Sequence, residues 1–363
     1  MLRPLSGRGT GGSGEDAGGT TGHPREGGAA SGHHPSPDAP VEADNDIGNQ
    51  DTMTQVQPYQ AAALPGFVSR NSLASRLGAE GSVSGTTPSF IHTKLTRKPW
   101  KSLISDISTQ SFTVSGHEFW WAWGTTQDGP FNKALDLPGQ EATKPTSETR
   151  SETESAIEMI ADYPWAFTLF KNYTTTLTYV LNDPGNPRPI TSASFPDFPM
   201  QTFFSKVAWK HIPPRSVLRE SSIHLLAENL FHESIHQYIN ARILTEPILP
   251  ADFDSGKGVK VDISWRKGQG SESLWSLDRV FHAASVYTML IPWRHEILKR
   301  NDLPPETRKV IEGAVEFSEK SLDELSSALQ EHLESFTQRG AFFVGQMLER
   351  ASTYTQLTRK GHM

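Results

Sequence analysis

Apolar residues lie on most faces of a single helix over 216–245, SVLRESSIHLLAENLFHESIHQYINARILT. They are Ile223, Leu225, Leu226, Leu230, Phe231, Ile235, Ile239, Ile243 and Leu244. A helix apolar nearly all round belongs in the centre of a domain. Ser216, after Pro213 and Pro214, reads as its N-cap, and Pro247 and Pro250 end it. A second buried helix is expected over 272–301, kinked near Pro292. A long amphipathic helix follows over 305–335 and another helical stretch over 340–355. Upstream, 154–182 has helical spacing with a break at Pro164, reached through an exposed polar connection over 143–156. Strand character is confined to short stretches: QSFTVSGHEFWWAWG (110–124), read as one strand, and part of KGVKVDISWRKGQG (257–270). Residues 61–145 otherwise read as loops and short strands, and five prolines make 183–200 a loop. The expected fold class is mainly α: a helical catalytic domain with a few short strands.

The first 50 residues hold 12 of the 29 glycines and no Phe, Tyr or Trp. Such a segment cannot bury enough apolar surface to offset its chain entropy. Residues 1–60 are therefore expected to be a disordered N-terminal segment, and 61–363 the folded domain. Met53 offers a second translation start. No apolar core of a signal peptide is present, and no run approaches a membrane span. The expected location is the cytoplasm, with no membrane partner. A net charge of −7 argues against a general nucleic-acid binder. With no cysteine in the chain, disulfides, thiolate metal sites and cysteine nucleophiles are excluded.

Within the central helix, residues 232–236 read HESIH, an HExxH pattern. Spacing of four puts His232 and His236 on one helix face, with Cβ atoms about 5–6 Å apart, able to grip one ion. The third ligand decides the class. Ile239 and Arg242 stand where one peptidase class needs glycine and histidine, so that class is excluded. Glu272 and Glu296 are downstream carboxylates for a second peptidase class. The stronger candidate is His282, mid-helix beside the small residues Ala283, Ala284 and Ser285. Asp278, one turn earlier, could orient it by a hydrogen bond. Three nitrogens fit catalytic zinc with water, and fit Fe(II) with positions open for a 2-oxo acid and dioxygen.

The order of HESIH (232–236), VDISWR (261–266) and VFHAASVY (280–287) resembles the HExxH-motif peptide-modification family of ribosomal peptide biosynthesis. That family runs HExxH, then Pro-Trp-Arg, then a helix carrying a histidine beside small residues. The stretch covered is roughly 216–290. Its members are understood to be Fe(II)- and 2-oxoglutarate-dependent peptide β-hydroxylases. The resemblance implies His232, His236 and His282 as iron ligands, a dioxygenase activity and a peptide substrate. Ser264 stands where the family has proline, and a second Pro-Trp-Arg occupies 292–294.

Arginine holds a carboxylate bidentately, which gives Arg266 a reason to clamp the distal end of 2-oxoglutarate. Arg242, Arg279 and Arg294 are alternatives. Glu233 separates the two enzyme classes. In a zinc metallopeptidase it is the general base that activates the attacking water. In an oxygenase no such base is required. His224 reads as packing or as support for the site. The aromatic residues Phe119, Trp120, Trp121 and Trp123 read as core before they read as a substrate groove.

Overall fold

The computed structural model of the protein describes residues 107–126, 132, 139–183, 189–195, 198, 200–212, 216–267 and 273–359. The expected disordered segment 1–60, Met53, His92 and Glu272 lie outside them. All described residues fall within one compact unit, Val56–Met363.

Six α-helices are described: α1 (Ser147–Ala161), α2 (Pro164–Tyr173), α3 (Ile223–Thr245), α4 (Leu277–Leu298), α5 (Pro305–Glu331) and α6 (Gln338–Arg359). Helix is the commonest state, as expected, but the strands are more than a few short pieces. Strands β1 (Ile107–Val114), β2 (His117–Gly124), β3 (Gln140–Thr143), β4 (Thr176–Asn182), β5 (Ser192–Ser194) and β6 (Gln201–Phe204) form a mixed sheet. Its order is β1-β2-β4-β6-β5, with β3 also paired to β4. Strand β4 runs parallel to β2 and β6.

Two stretches depart from the sequence reading here. Residues 110–124 are a hairpin, not one strand: Ser115 and Gly116 both take positive φ, 48° and 72°. Positive φ at both central residues is the turn whose twist matches paired strands. The helix expected to continue to 182 stops at Tyr173, and TLTYVLN becomes β4, with Thr176 through Val180 buried. Pro164 does separate two helices, as the first residue of α2. There its fixed φ suits helix entry and its missing N–H is not needed.

Helix α3 begins at Ile223 behind Ser222, not at Ser216. Residues 216–217 instead form β8, paired antiparallel with β7 (His211–Ile212). Helix α4 runs through Pro292 without ending, preceded by β10 (Leu274–Ser276), which pairs with β9 (Lys260–Asp262). Of that aromatic cluster, Phe119 and Trp121 are fully buried in the core, while Trp120 and Trp123 are half-buried. One α3 face meets the β5–β6 edge and another meets α4, which places the HESIH residues between sheet and helix layer.

Gly340, in the first turn of α6, sits against the backbone carbonyl of Ile248. An added Cβ would collide with that oxygen, and backbone cannot swing away as a side chain can. Gly340→Ala should therefore cost about 1–3 kcal/mol, the usual range for overpacking. Urea unfolding checks this, and an unchanged midpoint would contradict the close approach.

Candidate metal centre

Two polar rows run along the largely buried α3, each with a spacing of four. Glu228, His232 and His236 make one, facing α4. Asn229, Glu233 and Gln237 make the other, facing the sheet edge. Asn229 donates to the carbonyls of Ala208, His211 and Leu225, and Gln237 to those of Phe198 and Gln201. The Gln237 bonds hold α3 against the start of β6, and the Asn229 bonds hold it against Ala208 and His211 just beyond that strand. Glu233 accepts a hydrogen bond from Ser192 Oγ of β5 at 2.7 Å, and a second from Ser194.

The structure brings the three predicted histidines together. His232 Nε2 is 2.7 Å from His236 Nε2, and His236 Nδ1 is 2.6 Å from His282 Nε2. Their ring centroids are 4.6 and 4.8 Å apart. All three sit deep, each keeping a small contact with solvent. Burial is the first cause that holds His232 down to about 3 and His282 to about 4, and His236 well below 6.5. The Arg294 and His282 charges lower His232 further. Neutral imidazole is the form that binds a metal.

Among the described residues, no three His, Asp or Glu side chains stand in a ready-made coordination cage. The reason is geometric. His236 shows one nitrogen to each neighbour, so the three rings form a hydrogen-bonded chain rather than converge on a point. Nitrogens about 2.0–2.1 Å from a shared tetrahedral ion would be about 3.3 Å apart, wider than these contacts by about 0.6–0.7 Å. The donor set nevertheless fits an ion. Three neutral rings meet on two facing helices, and His232 Nδ1 is buried with no hydrogen-bond partner among the described residues.

Other expected residues divide. Asp278 makes no hydrogen bond to His282. Its Oδ2 accepts from Ser255 Oγ at 2.9 Å, and its Oδ1 is buried with no partner among the described residues. It acts on His282 through charge, raising the pKa that burial lowers. Glu296 lies 14 residues after His282 on the same helix, about 21 Å along the axis. It pairs with Lys299 and cannot be a third ligand. His224 stands apart, 3.9 Å from Asp302. Arg266 closes a 3-10 turn after β9, its guanidinium 6.0 Å from the Trp275 ring centre. Arg279 lies over the same ring at 4.3 Å. Ser264, where the resembled family has proline, donates its backbone N–H to Glu324 at 2.6 Å, a bond proline could not make.

Arg294 is not a free clamp. Its Nε and Nη2 donate to Glu228 Oε1 at 2.9 and 2.6 Å, and Nη1 donates to the Ala314 carbonyl at 2.8 Å and to Ser318 Oγ. The sequence reading passed over Glu228, Ser192 and Ser194. The signal available for Glu228 was a carboxylate one turn before His232 on a helix with no exposed face.

Burial pushes the Glu233 carboxyl up to about 7, while the two serines pull it back. This sets the pH dependence of the metal-free protein. Histidines with lowered folded pKa bind fewer protons folded than unfolded, so their stability contribution falls as pH drops below 6.5. Glu233 is raised, so its contribution has the opposite sign and is lost as pH rises through about 7. Between about 4.5 and 6.5, three histidine protons against one glutamate proton leave a net uptake of about two on unfolding. Urea midpoints in chelator should fall across that window as pH is lowered. A flat or rising midpoint would contradict the buried neutral cluster.

Compared with protein-family models, the chain matches none, and compared with curated proteins it likewise finds no match. No helix among the described residues is long and apolar enough to cross a membrane.

Proposed function

We propose that the protein is a cytoplasmic non-haem Fe(II) oxygenase that uses 2-oxoglutarate and dioxygen to hydroxylate a side-chain β-carbon in a peptide. The observation that carries this reading is the contact of His282 with His236 at 2.6 Å. His282, which the resemblance implies as the third ligand, lies beside His236, and that proximity supports an ion shared with His232 and His236. Iron, when bound, supplies a centre with positions open to a chelating 2-oxo acid and to dioxygen. The chain's own residues do the rest. Its three imidazoles are neutral before any ion arrives. Arg266 is proposed to hold the distal carboxylate of 2-oxoglutarate. Glu233, anchored by Ser192 and Ser194, keeps the HESIH turn seated on the sheet edge.

One observation favours a second reading, a zinc metallopeptidase. Glu233 near pKa 7 has the proton affinity of a general base. Against it, the Glu233 carboxylate is engaged by two serines of β5.

A single spectrum separates the two. The metal-free protein is mixed anaerobically with Fe(II) and 2-oxoglutarate. A visible charge-transfer band is expected, and it should disappear in His282→Ala. Tight stoichiometric zinc with no band would overturn the oxygenase reading and send the search to peptide cleavage.

A further inference from the structure

One helical turn beyond the histidines, a hollow of about 70 Å³ lies among residues of α3, α4 and α6. Ile239 and Ser285 in its wall each follow a cluster histidine, His236 and His282, by three residues. Three residues advance a helix by about 4.5 Å, so the hollow borders the histidine cluster. Ile239, Ile248, Phe281, Met289 and Met347 give it a buried apolar wall. The Ser285 hydroxyl donates to the Phe281 carbonyl, and the Thr288 hydroxyl to that of Ala284, each at 2.8 Å. Arg242 has its guanidinium 4.0 Å from the Phe343 ring centre and shares a hydrogen bond with Tyr238. Arg350 is likewise engaged within the protein. The hydroxyls and guanidiniums of the wall therefore already have partners.

Size and polarity choose the occupant. A water takes about 30 Å³ of liquid, and an engineered apolar cavity of about 150 Å³ holds benzene or xenon. The hollow falls between the two, too small for 2-oxoglutarate or for an amino-acid ring. Apolar space favours a molecule that costs water free energy to accommodate and that needs no hydrogen bond in return. Among the reactants of the proposed reaction, dioxygen alone is that small and carries neither charge nor hydrogen-bond donor. We infer that this hollow binds dioxygen and holds it beside the histidine cluster. The choice of gas rests on the oxygenase reading; the hollow itself does not depend on which metal the histidines take.

Dioxygen is paramagnetic and broadens the NMR lines of nearby methyl groups, so it reports its own position. The test is made on the full chain in chelator under dioxygen pressure, where no metal ion contributes. The methyls of Ile239, Met289 and Met347 should broaden more than those of Ile157, Met159 and Ile160, which are buried to a similar degree on α1. Ser285→Leu, which fills the hollow, should abolish the excess. In the iron-loaded enzyme the same change should raise the KM for dioxygen about fourfold or more with kcat unchanged, the loss of burial equivalent to one methylene. The comparison of methyls within the wild type stands even if Ser285→Leu impairs folding. Equal broadening in the two sets overturns the inference, as does water in the hollow, seen as water-to-methyl cross-relaxation without excess broadening. Dioxygen found in the hollow with no charge-transfer band from Fe(II) and 2-oxoglutarate would strike the oxygenase reading and keep the site. The band with no dioxygen in the hollow would do the reverse.

Discussion

Arg294→Met should destabilise the protein by about 3–5 kcal/mol, the cost of removing one partner from a buried ion pair. Arg294 and Glu228 are each 2% exposed in their side chains. Without the guanidinium, Glu228 keeps a carboxylate in the core with no cation against it, Ser318 Oγ loses its donor, and the Ala314 carbonyl keeps the Ser318 hydroxyl but loses the arginine. Domains of this kind are stable by only about 5–15 kcal/mol in all, so a loss of that size is visible in any urea titration. Pairing the change with Glu228→Leu should recover most of it, since apolar residues of similar volume replace buried ion pairs at little cost. A single-variant loss under about 1 kcal/mol would mean that water reaches the pair. The pair also bears on the site. Glu228 is one turn before His232, and the Arg294 charge helps keep His232 neutral.

That pair also shows where the sequence stops being readable. Ile-Pro-Trp-Arg over 291–294 looks like a second copy of a recognition motif. In the structure Trp293 is fully buried against Phe231 and Tyr163, and Arg294 answers a carboxylate 66 residues away. Nothing local records that partner. The histidines behave differently, because their information is local. A spacing of four on an apolar helix places His232 beside His236 wherever α3 lies, and only the arrival of His282 needed the packing of α4.

The same division runs through the fold. Helices α3 to α6 could be read because burial repeats every three to four residues, as in α5 with Ile311, Ala314, Val315, Ser318, Leu322, Leu325 and Leu329. The sheet could not, because β2, β4 and β6 are parallel neighbours far apart in sequence. Strand β4 is short and buried on both faces over Thr176 to Val180, so its apolar residues do not alternate cleanly with exposed polar ones. Its run of threonines with Tyr179 and Val180 was the available warning.

His282→Ala should lower the affinity for Fe(II) or Zn(II) by more than about 100-fold, beyond the 10–100-fold typical of a residue that merely supports a ligand. The fold should survive, because the ring is only partly buried and its one hydrogen-bonding contact among the described residues is to another cluster histidine. Asp278→Asn makes the internal comparison. That side chain acts on His282 through charge alone, so its loss should fall within or below the 10–100-fold range. Competition with a chromophoric chelator reads both variants, and circular dichroism confirms that each is folded. Equal affinities for the wild type and His282→Ala would leave only the helix pair His232 and His236, and the 2.6 Å contact would be core packing of neutral rings. A large loss for His282 with a small one for Asp278 would make α4 the element that completes the site. The metal would then join α3 to α4, and the metal-loaded protein should resist urea more than the metal-free one by an amount set by its affinity for the ion.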